Sequence, residues 1–257
     1  MKFKSTLILA SLITGGAIAF SGTEANAFSF NGGTDLGSCS AIPIENVGTG
    51  TPSSTVSTCT TDDGFTLTAN TGGVLTGKTV NGVTGVGIYR DESSAGEGSQ
   101  QEVDFGEELL LTLDEATALQ SLDIAFLYKE GNFSKAFGDF VDEVAQITAN
   151  GITGTLQVID AFTAVWNWDG ISQIVNATSP ANSSGGGLWS ITNPFGDIKV
   201  ASVSLTSPQE AGESFRYSDY AIAGAEKVPE PATVAGLALV AGALAVSRRR
   251  KSSQESS

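Results

Sequence analysis

Apolar and polar residues alternate with a period of two along most of the chain between residues 28 and 227. Segment 65–69 alternates Phe, Leu and Ala with Thr, and segment 145–149 alternates Ala and Ile with Gln and Thr. Successive side chains of a β-strand point to opposite faces of its sheet, so this period places the apolar residues on one face. The pattern therefore predicts strands that each have one buried face.

A tight turn is expected at Asn150-Gly151, because both residue types tolerate the positive φ angles of a type I′ hairpin. The turn would join segment 145–149 to a strand at 155–159. Further strands are expected at 122–128, 198–206 and 215–223. Short strands separated by Gly-rich segments predict an all-β fold, a single antiparallel domain that is a β-sandwich or jelly-roll-like.

Two stretches depart from the strand pattern. Residues 114–119 read Asp-Glu-Ala-Thr-Ala-Leu and could form one helical turn between strands. Residues 131–142 have apolar positions that fit a helix face, but Gly131 and Gly138 weaken it, so a long loop entering a strand at Glu143 is expected.

The N-terminus has the pattern of a secretory signal peptide. Lys2 and Lys4 precede an apolar run, and the small-residue sequence Ala25-Asn26-Ala27 stands before Phe28. Cleavage after Ala27 is expected, since an uncleaved membrane anchor would need a longer apolar run.

The C-terminus combines a Pro-Glu-Pro sequence, the apolar segment 232–246 and the basic cluster 248–251. A helix of that apolar length is about 22 Å long at about 1.5 Å per residue, shorter than a hydrocarbon core of about 30 Å. The positive-inside rule would hold the basic cluster in the cytoplasm; a plain tail anchor is the alternative.

The chain is expected to have four parts: the signal peptide 1–27, the exported domain 28–227, the sorting signal 228–251 and a polar tail 252–257. The residues expected to direct processing are Ala25, Ala27, Val228, Pro229, Glu230, Pro231, Arg248, Arg249 and Arg250.

This C-terminal arrangement resembles the PEP-CTERM sorting signal of Gram-negative and cyanobacterial surface proteins. The resemblance implies an exosortase, a protease of the inner membrane, that recognises the tail and cuts near Pro-Glu-Pro. It also implies signal peptidase as a partner, transient contact of the C-terminal helix with the inner membrane, and a secreted or cell-surface location. Segments 85–88, 101–109, 142–147 and 188–196 are similar to a recurring group of such proteins, which implies a β-sandwich and no assigned activity.

Composition narrows the possible functions. The chain has no His, which excludes Ser-His-Asp and Cys-His catalysis and any His-ligated metal site. It has 13 Lys+Arg against 28 Asp+Glu, a formal net charge of −15. Such a chain repels phosphate, so no nucleic-acid partner is expected.

Cys39 and Cys59 are the only cysteines of the 257 residues. In an exported protein they are expected to form a disulfide. A catalytic thiol is the alternative, and it would lack the His partner that activates such groups.

Segment 91–108 concentrates carboxylates around a Gly/Ser-rich stretch. Oxygen ligands on a flexible loop suit Ca²⁺, although no EF-hand spacing is present. The alternative is a solvated acidic loop before a strand, and no other cofactor is expected. The acidic residues are Asp91, Glu92, Glu97, Glu102, Asp104, Glu107 and Glu108.

Trp166 and Trp168 would share one face of a strand. They are either candidate ligand contacts that stack on sugar rings or core residues.

The leading prediction for function is a non-enzymatic structural or adhesive protein of the cell surface or extracellular matrix. The alternative is a module that binds carbohydrate, such as an exopolysaccharide, with or without Ca²⁺. A remote alternative is a glycoside hydrolase, since its carboxylate pair needs no His.

Overall fold

The alternating segments are β-strands in the computed structural model, which describes residues 26–46, 54–70, 72–90, 101–129, 142–182, 185–208 and 218–229. Residues 25–228 form one compact unit. The all-β prediction is confirmed, since the described residues hold 15 strands and one short 3₁₀ helix, Gly37–Ala41. The strands are β1 Ala27–Ser29, β2 Ile44–Asn46, β3 Thr58–Thr60, β4 Phe65–Ala69, β5 Val74–Val80, β6 Val83–Tyr89, β7 Glu108–Thr117, β8 Leu119–Ala125, β9 Val144–Ala149, β10 Ile152–Val158, β11 Thr163–Trp168, β12 Ile171–Asn182, β13 Gly185–Thr192, β14 Val200–Thr206 and β15 Ala221–Lys227.

Hydrogen bonds join the strands into one curled sheet in the order β2-β5-β6-β15-β8-β13-β12-β11-β10-β9-β14-β7-β4-β3, with β1 on β15. The path has two halves, one from β2 to β13 and the other from β11 to β3, and the long strand β12 pairs with both. Its residues 171–176 pair with β11, and its residues 177–182 pair with β13 after a register shift between Ala177 and Ser179. The shift at β12 marks the point where the sheet changes from one half to the other.

The buried hydrophobic side chains form one core cluster, to which strands along the whole path contribute. Phe28 of β1 packs edge-on against Phe65 of β4, with ring centroids 5.0 Å apart. Trp166, Trp189 and Tyr220 are fully buried. Aromatic side chains bury about 150–250 Å² each, so at about 25 cal/mol per Å² each contributes several kcal/mol to folding.

Three hairpins turn on an Asn-Gly or Asp-Gly pair with positive φ angles. The predicted turn at Asn150-Gly151 is confirmed, with φ angles of 51° and 78°. Asn81-Gly82 joins β5 to β6 and Asp169-Gly170 joins β11 to β12 in the same way. These residue types favour the left-handed backbone that a two-residue hairpin requires.

The helical turn expected at 114–119 is wrong, because β7 continues through Thr117. Tertiary contacts hold this segment extended. The amide of Asp114 donates to the carbonyl of Gly64 at 3.1 Å, and the Nζ of Lys227 lies 2.6 Å from the Oδ1 of Asp114. The strand expected at 122–128 ends at Ala125, since Phe126 has a φ of 68°.

The last strand also begins later than expected. β15 covers 221–227 instead of 215–223, and residues 215–217 lie outside the described part of the chain. The long loop expected before Glu143 falls mostly on residues 130–141, which also lie outside it.

The two ends of the domain lie side by side. β1 pairs antiparallel with β15, which places Ala27 opposite Glu226, and the amide of Lys227 donates to the carbonyl of Asn26 at 2.9 Å. The apolar run 7–20, the residues Ala25, Glu230, Pro231, Arg248, Arg249 and Arg250, and the apolar segment 232–246 lie outside the described residues. Among the residues that are described, no helix combines the length and apolar character needed to cross a membrane.

The predicted disulfide is present between Cys39 in the 3₁₀ helix and Cys59 in β3. Both residues are buried, and the bond closes a loop with a sequence separation of 20. It therefore holds the edge strand β3 against the segment that follows β1.

Reduction of this disulfide is expected to lower the free energy of unfolding by about 3 kcal/mol, because the reduced unfolded chain gains loop entropy. Urea denaturation with and without dithiothreitol measures the loss. A Cys39→Ala/Cys59→Ala variant is expected to start near the reduced value and to be insensitive to dithiothreitol. An unchanged free energy after complete reduction, verified by thiol labelling, would contradict the expectation.

Candidate functional site

The two tryptophans singled out in the sequence are core residues. Trp166 is 0% exposed and Trp168 is 2% exposed. Their indole N–H groups donate to the carbonyls of Pro194 at 2.8 Å and Ile152 at 3.0 Å. Both rings also pack edge-on against Phe195. In the described structure these indoles therefore do not form a surface stacking platform. Both tryptophans instead fit the alternative of core residues.

Strand β10 makes room for the indoles at a glycine. A Cβ atom on Gly154 would lie 2.6 Å from the Cη2 of Trp166 and 2.8 Å from the Cδ1 of Trp168. Such distances are shorter than van der Waals contact, so only glycine allows both rings to lie under the sheet here. The alternation in β11 then sends Asn167, between the two indoles, to the outer face.

An open groove of about 340 Å³ lies on this outer face, where β10, β11 and β12 meet the β11–β12 hairpin. Hydroxyl or amide side chains make up four of its eight lining residues, and the turn adds one carboxylate. The segment that carries the two tryptophans therefore contributes the polar side chains of Asn167 and Asp169 to this candidate site. The lining residues are Thr153, Thr155, Asn167, Trp168, Asp169, Gly170, Ile171 and Ser172.

The groove continues into two rows of outward-facing side chains that run across the strands. Strand register defines both rows, here called the polar rows. The first row, from β7 to β12, is Glu108, Thr206, Gln146, Thr155, Asn167 and Ser172. The second row, from β3 to β10, is Thr58, Thr68, Leu110, Ser204, Thr148 and Thr153.

Hydrogen bonds connect neighbouring members of the polar rows. The hydroxyls of Thr148 and Thr153 lie 2.8 Å apart. Glu108, the one charged member of the two rows, accepts from the hydroxyl of Ser204 at 2.5 Å and from the amide of Asn70 at 2.8 Å. These two hydrogen bonds lower the pKa of Glu108. The rows therefore present mainly uncharged hydrogen-bonding groups.

Half of the residues in the acidic stretch 101–108 are buried. The expectation of a solvated acidic loop is wrong for Glu102 and Glu107, which are among them. The reason is a close backbone approach at Gly87 of β6. A Cβ atom on Gly87 would lie 2.3 Å from the Cα of Glu102, and the amide of Ile88 donates to the carbonyl of Glu102 at 2.9 Å. Glu108 itself belongs to β7.

Lys78 is the cation that pairs with Glu102 in this region. Its Nζ lies 2.7 Å from the Oε2 of Glu102 and 5.0 Å from the ring centroid of Phe126. Burial by itself would lower the pKa of Lys78, but Glu102, Asp219 and Glu143 outweigh that effect and raise it. Lys78 is therefore held in its charged form by the carboxylates around it.

Asp104 belongs to a group of acids in the same region, which we call the acidic cluster: Glu102, Asp104, Glu107, Glu143 and Asp219. Burial raises the pKa of Asp104 well above its usual value, and the charges of Asp219, Glu107 and Glu102 raise it further. Its Oδ1 is buried and accepts no hydrogen bond. This oxygen is therefore not accessible to a ligand in solvent.

Across the described residues, no three Asp, Glu or Cys side chains are grouped so that they could hold a metal ion. Asp91, Glu92 and Glu97, the first acids of the stretch, lie outside the described part of the chain. A calcium site in segment 91–108 therefore stays a prediction.

Asp104→Asn is expected to raise the free energy of unfolding at pH 7 by about 1–3 kcal/mol, because a neutral amide replaces a buried carboxyl that desolvation and the charges of Asp219 and Glu107 make costly to ionise. The pKa of Asp104 is raised on folding, so the folded chain binds this proton more tightly than the unfolded chain. The associated stability is present below the unfolded pKa of about 3.9 and is lost as the pH rises through the folded value.

The gain from Asp104→Asn should therefore shrink as the pH falls towards 4. Urea denaturation at pH 7 and pH 4 measures it, with the exposed Asp197 changed to Asn as the matched control. An Asp104→Asn variant that is less stable than wild type at pH 7 would show that the Asp104 carboxyl stabilises the fold, contrary to this prediction.

Comparison with protein-family models, with curated proteins and with solved structures gives no match to this chain.

Proposed function

We propose that the protein is exported, is sorted and processed by an exosortase, and serves as a non-enzymatic structural or adhesive module at the cell surface or in the extracellular matrix. In this proposal the curled sheet acts as a β-sandwich, jelly-roll-like in its strand packing. The observation that carries the proposal is the pairing of β1 with β15.

This pairing brings the two expected processing junctions to the same edge of the domain. Ala27 lies opposite Glu226, and the amide of Val228, next to Pro229, donates to the carbonyl of Ala118 at 2.9 Å. Signal peptidase and an exosortase would both act at the outer side of the inner membrane. A domain whose junctions are adjacent can present both to one membrane surface without rearranging.

The position of the last strand suits a protein attached through its C-terminus. β15 lies between β6 and β8 in the sheet and also pairs with β1. Lys227 at its end bonds to Asp114 of β7 at 2.6 Å and to the carbonyl of Asp63 at 2.7 Å. A force on the C-terminus is therefore shared among several strands. The Cys39–Cys59 disulfide favours an oxidising compartment.

The test is the intact mass of the protein purified from its native host, combined with fractionation of cells and matrix. We expect a chain that begins at Phe28 and ends near Pro229, recovered from the surface or matrix. A matched Glu230→Ala variant should keep its basic tail in the membrane fraction. A mature wild-type protein that retains Arg248–Arg250 would overturn the exosortase proposal.

A carbohydrate-binding module is the second candidate, and the groove on β10–β12 is the observation that favours it. Calcium bound by the acidic stretch would be an optional partner. Release of reducing sugar from a polysaccharide, abolished by replacing carboxylates, would instead indicate a glycoside hydrolase.

A further inference from the structure

We propose that the groove on β10–β12 and the first polar row bind an uncharged polysaccharide whose chain lies across the strands. This inference rests on the proposed location of the protein among extracellular polymers. It names a ligand class and a site for the adhesive function.

Charge selects the ligand class. The whole chain carries a formal charge of −15, yet the groove and the first polar row together contain only two charged residues, Asp169 and Glu108. The carboxylate of Glu108 is hydrogen-bonded to Ser204 and Asn70. An acidic polysaccharide would be repelled by the protein as a whole. A basic polymer would find few carboxylates on this face. An uncharged polymer meets neither obstacle.

The groups in the groove match the chemistry of sugar hydroxyls, which both donate and accept hydrogen bonds. The Asn167 amide offers two donors and one acceptor, and the hydroxyls of Thr155 and Ser172 each do both. The carboxylate of Asp169 accepts at the turn end of the groove. Asn167, Asp169 and Ser172 are exposed, so these groups are available to a ligand.

The spacing of the row suits an extended chain. Neighbouring strands lie about 4.8 Å apart, which is comparable with the length of one pyranose residue. The row crosses six strands from β7 to β12, so a chain lying across them would meet one polar group per strand. A polysaccharide lying along one strand would instead cross the row once and meet only one of its side chains.

The buried tryptophans contribute by holding the site in place. Trp166 and Trp168 flank Asn167 on β11, and each indole is fixed by a hydrogen bond to a backbone carbonyl. Asn167 therefore projects from a rigid strand, which reduces the entropy lost when a ligand binds. In this role the indoles position the amide and need not contact sugar.

Affinity electrophoresis of the full chain tests the proposal. Native gels would contain hydroxyethylcellulose, dextran or galactomannan as uncharged polymers, and carboxymethylcellulose as the charged counterpart of the first. We expect retardation by at least one uncharged polymer and none by carboxymethylcellulose. Asn167→Ala should weaken the apparent affinity about tenfold, as loss of hydrogen bonds worth about 1.4 kcal/mol would do.

Asn176→Ala is the matched control, since Asn176 is exposed on β12 but lies outside the groove and both rows. It should leave the retardation unchanged. Ser172→Phe, which fills the groove, should abolish it. Circular dichroism and urea denaturation of each variant establish that the fold is retained.

Four results would overturn the inference. They are no retardation by any uncharged polymer, retardation by carboxymethylcellulose alone, retardation that survives both Asn167→Ala and Ser172→Phe, and self-association in polymer-free buffer that these two variants remove. The last result would make the face an interface between copies of this chain. Each result is independent of the mass measurement, so failure of this site and failure of the export proposal are distinguishable.

Discussion

Trp166→Ala is expected to lower the free energy of unfolding by about 3–5 kcal/mol, the range for removing a large buried aromatic side chain. Trp166 is fully buried, packs against Phe195 and donates its indole N–H to Pro194. The substitution leaves a cavity beside Gly154 and a carbonyl without its donor. Urea denaturation followed by circular dichroism measures the loss.

Trp166→Phe provides the control for this prediction. It keeps an aromatic ring in the core and removes the indole N–H, so it should cost less than the alanine variant. The exposed Phe162, changed to Ala, should have little effect. A Trp166→Ala protein with wild-type stability and altered polysaccharide binding would show that the indole contacts ligand rather than core.

Lys78→Met is expected to lower the free energy of unfolding at pH 7 by about 3–5 kcal/mol, as loss of one partner of a buried ion pair does. Glu102, 2.7 Å from the Lys78 ammonium, would be left buried without its cation. The folded pKa of Lys78 is raised above 10.5, so wild type should keep this contribution below that pH and lose it as the pH rises above it.

A Lys78→Met/Glu102→Gln variant separates charge from packing. If the loss comes from an uncompensated carboxylate, the second substitution should recover most of it. The exposed pair Lys129 and Asp142, 3.5 Å apart, gives the matched control, because Lys129→Met should cost at most about 1 kcal/mol. Equal losses in the single and double variants would assign the effect to lost packing around Phe126.

The strands were predictable because their signals are local. The alternation at 65–69 defines β4, and the Asn150-Gly151 pair identifies the hairpin of β9 and β10. Residue pairs of the same type occur at Asn81-Gly82 and Asp169-Gly170, where they form the turns of the β5–β6 and β11–β12 hairpins. The disulfide was predictable because the chain has two cysteines and was expected to be exported.

The orientation of the tryptophan segment was not predictable, because alternation shows which residues share a face and not which face is inside. Trp166 and Trp168 point inward because Gly154 on the neighbouring strand leaves space for them. The groove depends on Thr155, Asn167 and Ser172, which come from three strands in register. That register is a tertiary property.

The burial of the acidic stretch has a similar origin. A run of carboxylates is usually solvated, but Glu102 is drawn in by the backbone contact at Gly87 and by Lys78, both from strands earlier in the chain. Segment 114–119 has helix-forming residues, and a single ion pair with Lys227 helps to keep it extended. Contacts between distant segments decide both cases.

In the described part of the chain, both ends of the hydrogen-bonded path are strands of only three residues, β2 and β3. Long open edges are templates on which a second chain can add a strand, and short edges limit such growth. β3 is also tied back to the 3₁₀ helix through Cys59. Short edges of this kind would limit edge-to-edge polymerisation of copies of this chain, including at the high local concentration of the proposed matrix location.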